Sequence, residues 1–401
     1  MSEQNAPIRV HPSQLLETID SIQGKGEIHL TDGEVTTPFT RAVENLTIVG
    51  SENTIVRVPI SFHGTAHISS LRFIGPDAGV SFPSTRLYPT LRCSVVDCLF
   101  DGCDYPIRSS RINYEDPPPE MVSVRSCSFT ECFRKPNQAG VFVATKEFSR
   151  VSDCSFTDCG GGNQCHAIYS WGNVLVEGSL GYNLNVENFL DSRGPSGRMR
   201  RCLFYKVPCI ASSHSALSIR ECIDMSGTEY PSGVAGVGVS YSSREPYPEI
   251  PPGVLSISRC IFLKPIDRSF TIIINGEPTV VQLAENVFVD SCFSPSCAAI
   301  KLNSATRFEL TANKFYDTRP IEVARSCLLL AVANEFVSCA MSTLCGILVN
   351  VNELNIFAGG GGFSAKSGSF DTLDRANELF DNKSDWKKFL DYALERVFPN
   401  E

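Results

Sequence analysis

One arrangement of apolar and polar positions recurs along the chain: an apolar residue, two polar residues, a Cys or Asn, any residue, then Phe. It stands as Val95-Val96-Asp97-Cys98-Leu99-Phe100 and returns with Cys127 and Phe129, Cys154 and Phe156, Cys202 and Phe204, and Cys260 and Phe262. Later copies exchange Cys for Asn: Asn286 with Phe288, Asn313 with Phe315, Asn334 with Phe336 and, more weakly, Asn355 with Phe357. An early copy ends at Phe73, and degenerate copies end at Leu180 and Asp224. Most intervals are in the twenties. This period is too short for two packed helices and suits one solenoid turn of three short strands and their bends. Runs such as Gly140-Val141-Phe142-Val143 and Thr271-Ile272-Ile273-Ile274 are β-prone and bounded by turn residues.

Parallel coils stack about 4.8 Å apart, so each repeat position becomes a column. The Phe column is expected to fill the interior as an aromatic stack. In the Cys/Asn column, thiols pack as small hydrophobes, while amides one coil apart can bond to each other and to turn backbone. The position before it, Asp97, Ser126, Asp153, Glu177, Arg201, Glu221, Arg259 and Glu285, is expected to face outward. From Glu177 its sign alternates, which predicts an exposed ladder of opposite charges.

The pattern resembles the right-handed parallel β-helix superfamily, the pectate-lyase-like fold. The Cys-x-Phe phrases, above all Cys154-Ser155-Phe156-Thr157-Asp158-Cys159, also resemble repeats of polymorphic outer-membrane proteins. The resemblance covers about residues 27–358. It implies an all-β chain: a single right-handed parallel β-helix solenoid of about a dozen coils, with an N-terminal helical cap and a C-terminal helical tail. The expected segments are a cap helix over 1–26, the β-helix over 27–358, and a Gly-rich joint with C-terminal helices over 359–401.

Apolar residues at 15, 16, 19 and 22 have helical spacing, and Gly24 and Gly26 end the run. A helix there would shield the open first coil. In the tail, Phe370, Leu373, Leu379 and Phe380 suggest one helix, and Trp386, Phe389, Leu390, Ala393, Val397 and Phe398 suggest a second. Its face either docks on the last coil or offers Trp386, Phe389 and Leu390 to a partner groove. The longest interval, 262 − 224 = 38 residues, contains an insertion at 227–253 whose Tyr230, Tyr241, Arg244 and Tyr247 favour recognition.

Thirty-five basic against 44 acidic residues, a net charge of −9, argue against nucleic acid or an anionic membrane surface as the main partner. The longest nearly apolar stretch, 327–333, is far short of a membrane span. With no export signal at the start of the chain, the expectation is a cytoplasmic protein whose 17 cysteines are mostly reduced.

The search for chemistry yields little. Cys98/Cys103, Cys127/Cys132 and Cys154/Cys159 are each separated by roughly 16 Å of extended chain and cannot share a zinc ion. Cys165-His166, near Tyr169 and Trp171, reads as packing because no orienting acid is in view. The superfamily resemblance directs attention to stacked acids, Glu131 with Asp158 and Asp290 with Asp317, although Tyr182 and Lys206 interrupt the column between them. Phosphate-cradling and serine-nucleophile motifs are absent from the sequence. The leading expectation is a non-catalytic intracellular scaffold with an unidentified protein partner and no cofactor or metal. The alternative is a carbohydrate-binding or polysaccharide-degrading lyase or hydrolase, with a glycan as partner and those four acids as its catalytic candidates.

Overall fold

The structure, a computed structural model, describes residues 6–398 except 88, 112–115, 117, 214–215, 226–236, 243–252, 264–269, 276–279, 293–297, 304–306, 319–320, 324–327, 338, 340–342, 345–347, 352–355 and 359–385. Its strands pair in parallel, coil upon coil, in the parallel β-helix that the repeat predicts. Two compact units divide the chain, Met1–Ser196 and Gly197–Glu401.

In the first unit each coil contributes short strands to three faces. One face runs through Lys25–Leu30, Phe39–Val49, Pro59–Ser69, Arg92–Val96, Met121–Arg125, Ser149–Ser152 and Val174–Glu177. A second consists of three-residue strands such as Leu99–Asp101, Ser128–Thr130 and Ser155–Thr157. The third comprises Gly79–Ser84, Ile107–Arg111, Ala139–Val143, Gly162–Ser170 and Val186–Ser192. It begins on the first halves of the two long strands, which serve both faces. An additional strand, Ile8–Val10, pairs with Ile28–Leu30 ahead of the helix Leu15–Ser21. That helix buries Leu15 and Ile19 and is tied down by Arg41, whose guanidinium donates to Asp20 at 2.7 and 3.2 Å.

The interior carries the expected aromatic column. Phe73, Phe100, Phe129 and Phe156 stack with centroid separations of 4.7, 4.9 and 4.4 Å and nearly parallel rings. The next step departs from the sequence register: Phe156 pairs with Gly181, not Leu180. A one-residue shift puts Gly178, at φ 57°, on the bend and Ser179 in the cysteine slot, where its hydroxyl accepts from the Cys154 N–H. Phe189 meets Phe156 edge-on at 5.4 Å, so an aromatic ring still packs where the column loses its own.

The outward position before each Cys or Asn is the bend itself. Asp97, Ser126, Asp153, Arg201, Glu221, Arg259, Glu285, Ala312 and Ala333 all lie at φ between 52° and 57°. A non-glycine side chain there costs roughly 1–2 kcal/mol. The bends from Asp97 to Ala312 nevertheless keep their coil-to-coil bonds, as in Asp97 N–H to the Arg125 carbonyl and Arg259 N–H to the Ala284 carbonyl.

In the second unit the buried asparagines form a ladder. The Asn286 N–H donates to Asn313 Oδ1 at 3.0 Å, and the Asn313 N–H to Asn334 Oδ1 at 2.9 Å. Their amides in turn donate to carbonyls of the preceding coil, Asn286 to Ile257 and Asn313 to Leu283. Cysteine fills the same slot with longer bonds: the Cys222 N–H donates to Cys260 Sγ at 3.5 Å, and that thiol donates to the Ile219 carbonyl at 3.8 Å. Asp224 sits buried between Phe204 and Phe262 in the Phe column.

The charge ladder differs from expectation. Arg259 and Glu285 approach at 3.9 Å, but Glu221 is held by Arg200 and Arg220, and Arg201 pairs with Asp391 of the C-terminal helix Trp386–Val397. Arg259 also donates to the Phe398 carbonyl and lies over its ring. Of the outward bend arginines, Arg259 thus reaches both the next bend and the helix end, while Arg201 pairs with the helix alone.

Candidate functional site

On the third face of the first unit, four strands bring Arg108, Phe142, Tyr169 and Asp191 into one column on consecutive coils. Around it lies a cavity of about 560 Å³, lined also by Tyr105, Asn137, Gln164, His166, Glu187 and Arg193. In-register parallel pairing stacks positions that are far apart in sequence, so the column needs no motif. A register shift between Gly162 and His166 sets His166 opposite Asn188. Such irregularities re-aim side chains next to active sites. Asn137 and Gln164, both at φ 63°, bend the rim on consecutive coils.

Phe142, His166 and Tyr169 form the floor, with Trp171 beside them. The His166 ring stacks on Tyr169 of the same strand at 5.0 Å and 14°, Phe142 of the preceding coil stacks on Tyr169 at 5.5 Å, and Trp171 stands edge-on to Tyr169. The Arg193 guanidinium lies over Tyr169 at 5.3 Å and over Trp171 at 6.0 Å. Arg108 covers Phe142 at 5.6 Å and is exposed, with no carboxylate partner among the described residues. It is therefore a cation available to a ligand.

His166 is buried, and burial, with the nearby Arg193 charge, holds its pKa down at about 4. The imidazole is therefore neutral near pH 7. Its Nε2 stands 3.7 Å from Asp191 Oδ2, too far for a hydrogen bond. The buried Asp191 carboxylate instead takes the Arg193 Nε–H at 3.1 Å. The Nδ1 of His166 is buried and has no hydrogen-bond partner among the described residues. Burial also raises the Tyr169 hydroxyl above its ordinary pKa, so it keeps its proton. A neutral imidazole, a protonated phenol and two guanidinium groups in one cavity can accept a proton, donate a proton and neutralise an anion.

The acids singled out from the sequence lie elsewhere. Glu131 and Asp158 occupy positive-φ bends on consecutive coils, where Glu131 pairs with Arg134 at 2.7 Å and Asp158 accepts from Asn183 at 2.6 Å. Asp290 and Asp317 lie on the paired strands Val287–Cys292 and Lys314–Thr318, with a register shift between Val289 and Cys292. Among the proposed docking residues, Trp386, Phe389 and Leu390 are buried within the chain. Tyr241 lies on the strand Val237–Ser242, whereas Tyr230, Arg244 and Tyr247 fall outside the described residues, as does the first tail helix. Asp191 is 25 residues from His166 in sequence (191 − 166) and becomes its neighbour only by coiling, so no local pattern announces the pair.

No known protein family matches the sequence, and no curated protein matches it either. Solved structures do match the fold. A mannuronic acid specific polysaccharide family 6 lyase from human gut microbiota superposes with a TM-score of 0.51 at 12% identity, over 98% of this chain and all of that one. The tailspike of E. coli bacteriophage HK620, in complex with a pentasaccharide, gives 0.49 at 10% identity over 83% of this chain and 74% of its own. The A-module of a mannuronan C-5 epimerase from Azotobacter vinelandii gives 0.29 at 10% identity, over 87% and 96%. At 12% identity the likeness to the lyase shows the parallel β-helix fold alone.

The expectation of a non-catalytic scaffold is corrected here. It rested on the lack of clustered polar groups, and the cavity around His166 gathers them on a fold whose matched structures include a polysaccharide lyase. The chemistry of these residues is assembled across coils rather than along the chain.

Proposed function

We propose that this protein is a carbohydrate-active β-helix that binds an acidic polysaccharide at the Arg108–Arg193 cavity and acts on it by acid–base chemistry. The observation that carries the reading is the neutral, buried His166 stacked on Tyr169 beneath the Arg193 guanidinium. Aromatic faces accept the C–H faces of a sugar ring, and a planar guanidinium matches a carboxylate. Arg108, with no carboxylate partner among the described residues, supplies the complementary charge. His166 is placed to take a proton and Tyr169 to give one. The fold likeness to a lyase named for mannuronic acid supports this substrate class.

The test is incubation with polymannuronate, polygalacturonate and a neutral glucan, followed by new reducing ends and the ultraviolet absorbance of unsaturated products. Cleavage of an acidic polymer that falls at least about a hundredfold in His166→Gln and Tyr169→Phe is expected, the scale of a lost general acid or base. Failure to bind or cleave either acidic polymer would overturn the reading.

A further inference from the structure

Asp191 Oδ2 stands between two groups. It accepts the Arg193 Nε–H at 3.1 Å, and His166 Nε2 lies 3.7 Å from the same oxygen, just beyond a hydrogen bond. The carboxylate is buried, whereas the Arg193 side chain is 41% exposed where it lines the cavity, so a ligand reaches the guanidinium and not the acid behind it. The other groups that face His166 leave this arrangement undisturbed. Tyr169 on the same strand keeps its proton, and Cys165 beside it donates to the Lys135 carbonyl. Ala139 and Asn188, both without charge, occupy the positions opposite His166 on the two neighbouring coils. Glu187 is exposed and accepts the Gln164 N–H at 2.9 Å, and Arg108 lies over Phe142.

We infer that Asp191 is a positioning residue: when an acidic ligand engages Arg193, the Asp191 carboxylate passes from the guanidinium to the His166 imidazole and makes it the working base of the cavity. The inference rests on the proposed function. A ligand carboxylate takes up guanidinium N–H groups and charge, which loosens the hold of Arg193 on Asp191. A buried carboxylate that loses a cation is strongly destabilised until another replaces it. The nearest group able to become one is His166, and a closure of less than about 1 Å turns the 3.7 Å gap into a hydrogen bond. The imidazole then gains one proton, from solvent in the acidic range or from the sugar during reaction, and Asp191 stays ionised. In the unliganded protein burial makes His166 a weak base, with a pKa of about 4. A general base works best when its proton affinity lies near the working pH, and an adjacent carboxylate moves it in that direction. The charge of the substrate thus switches on the base that acts on it.

The experiment is calorimetric titration of the full-length protein with hexamers of mannuronate and of galacturonate at pH 6, in buffers of different ionisation enthalpy. The slope of the observed heat against that enthalpy counts the protons taken up on binding, a quantity that a merely structural role would not move. The parent is expected to take up at least about half a proton per ligand, and Asp191→Asn and His166→Gln less than about a tenth. Asp191→Asn keeps the side-chain shape, and its binding within about tenfold of the parent shows that it has folded. A second measurement needs no folded Asp191 variant: the His166 ring signals of the parent, followed by NMR, are expected to show a proton affinity about a hundredfold higher with the hexamer bound than without it. Binding without proton uptake, uptake undiminished in Asp191→Asn, or a His166 titration unmoved by the hexamer would overturn the role of Asp191 and leave the cavity reading standing. Absence of binding by both hexamers would overturn both.

Discussion

The His166 imidazole and the Asp191 carboxylate face each other at 3.7 Å from consecutive coils, yet the carboxylate's ion pair is with Arg193. His166 is thereby left neutral in a buried place, and its pKa of about 4 ties stability to pH. A histidine depressed below its unfolded value of 6.5 binds its proton more readily in the unfolded chain, so its contribution is complete above about pH 6.5 and is lost as pH falls toward 4. The full effect is on the order of 3 kcal/mol. Urea unfolding of the parent and of His166→Gln at pH 7 and pH 5 is expected to show a steeper acid loss in the parent. Equal losses would contradict the assignment.

Arg193 has two tasks, and two substitutions separate them. Arg193→Ala leaves the buried Asp191 carboxylate without its cation and is expected to cost about 3 kcal/mol in denaturant unfolding. Arg193→Lys retains the charge but not the flat guanidinium over Tyr169 and Trp171. That variant is expected to keep most of the stability and to bind acidic oligosaccharides about tenfold less tightly. Parent-like affinity in Arg193→Lys would show that stacking is irrelevant to the ligand.

The equivalence of cysteine and asparagine in the ladder can be measured at Asn313. Its side chain accepts from Asn286 and donates to the Leu283 carbonyl in a fully buried slot. Asn313→Ala abandons those partners and is expected to cost about 3 kcal/mol, whereas Asn313→Cys, whose thiol can reach the same carbonyl, is expected to cost about half as much. Calorimetric melting that ranks Cys no better than Ala would refute the shared role.

Thiol chemistry follows from the same burial. Among the described residues twelve free cysteines are buried and Cys339 is half-exposed. Burial raises the Cys93 thiol to about 12 and holds Cys98, Cys127 and Cys222 well above the ordinary thiol value. Titration of the native protein with a colorimetric disulfide at pH 8 is expected to leave these twelve unreacted, and all 17 cysteines to react after unfolding. Rapid reaction of Cys98 or Cys127 in the native state would show that the columns open.

Aromatic stacking is expected to supply much of the coil cohesion at Phe129, which lies between Phe100 and Phe156. Phe129→Ala should cost roughly 3–5 kcal/mol and Phe129→Leu distinctly less, as read from chemical unfolding midpoints. A cost below about 1 kcal/mol for the alanine would place the cohesion in the backbone ladder instead.

The fold was legible because its period is written in the chain. A Phe two residues after each Cys or Asn can only stack if the coils are in register, and that register is what Phe100, Phe129 and Phe156 display. Where the phrase degenerates, the reading slipped by one residue: Leu180 resembles the missing Phe in hydrophobicity, but Gly178 has the freedom for the left-handed bend and fixes the alignment. Stacked acids were legible as a column too, but Glu131 and Asp158 take their partners locally, Arg134 within the same loop and Asn183 one coil on.

The sequence by itself determined the repeat, the parallel coils, the Phe and Cys/Asn columns and the helix at Trp386–Val397, since these follow from the order of neighbouring residues and a common period. Only the tertiary structure decided the site. Arg108, Phe142, Tyr169 and Asp191 share no motif, and their spacing differs from coil to coil because the bends between them differ in length. Burial set the charge state of His166, and coiling brought Asp191 beside it. Each of these depends on distances between coils, which no local pattern encodes.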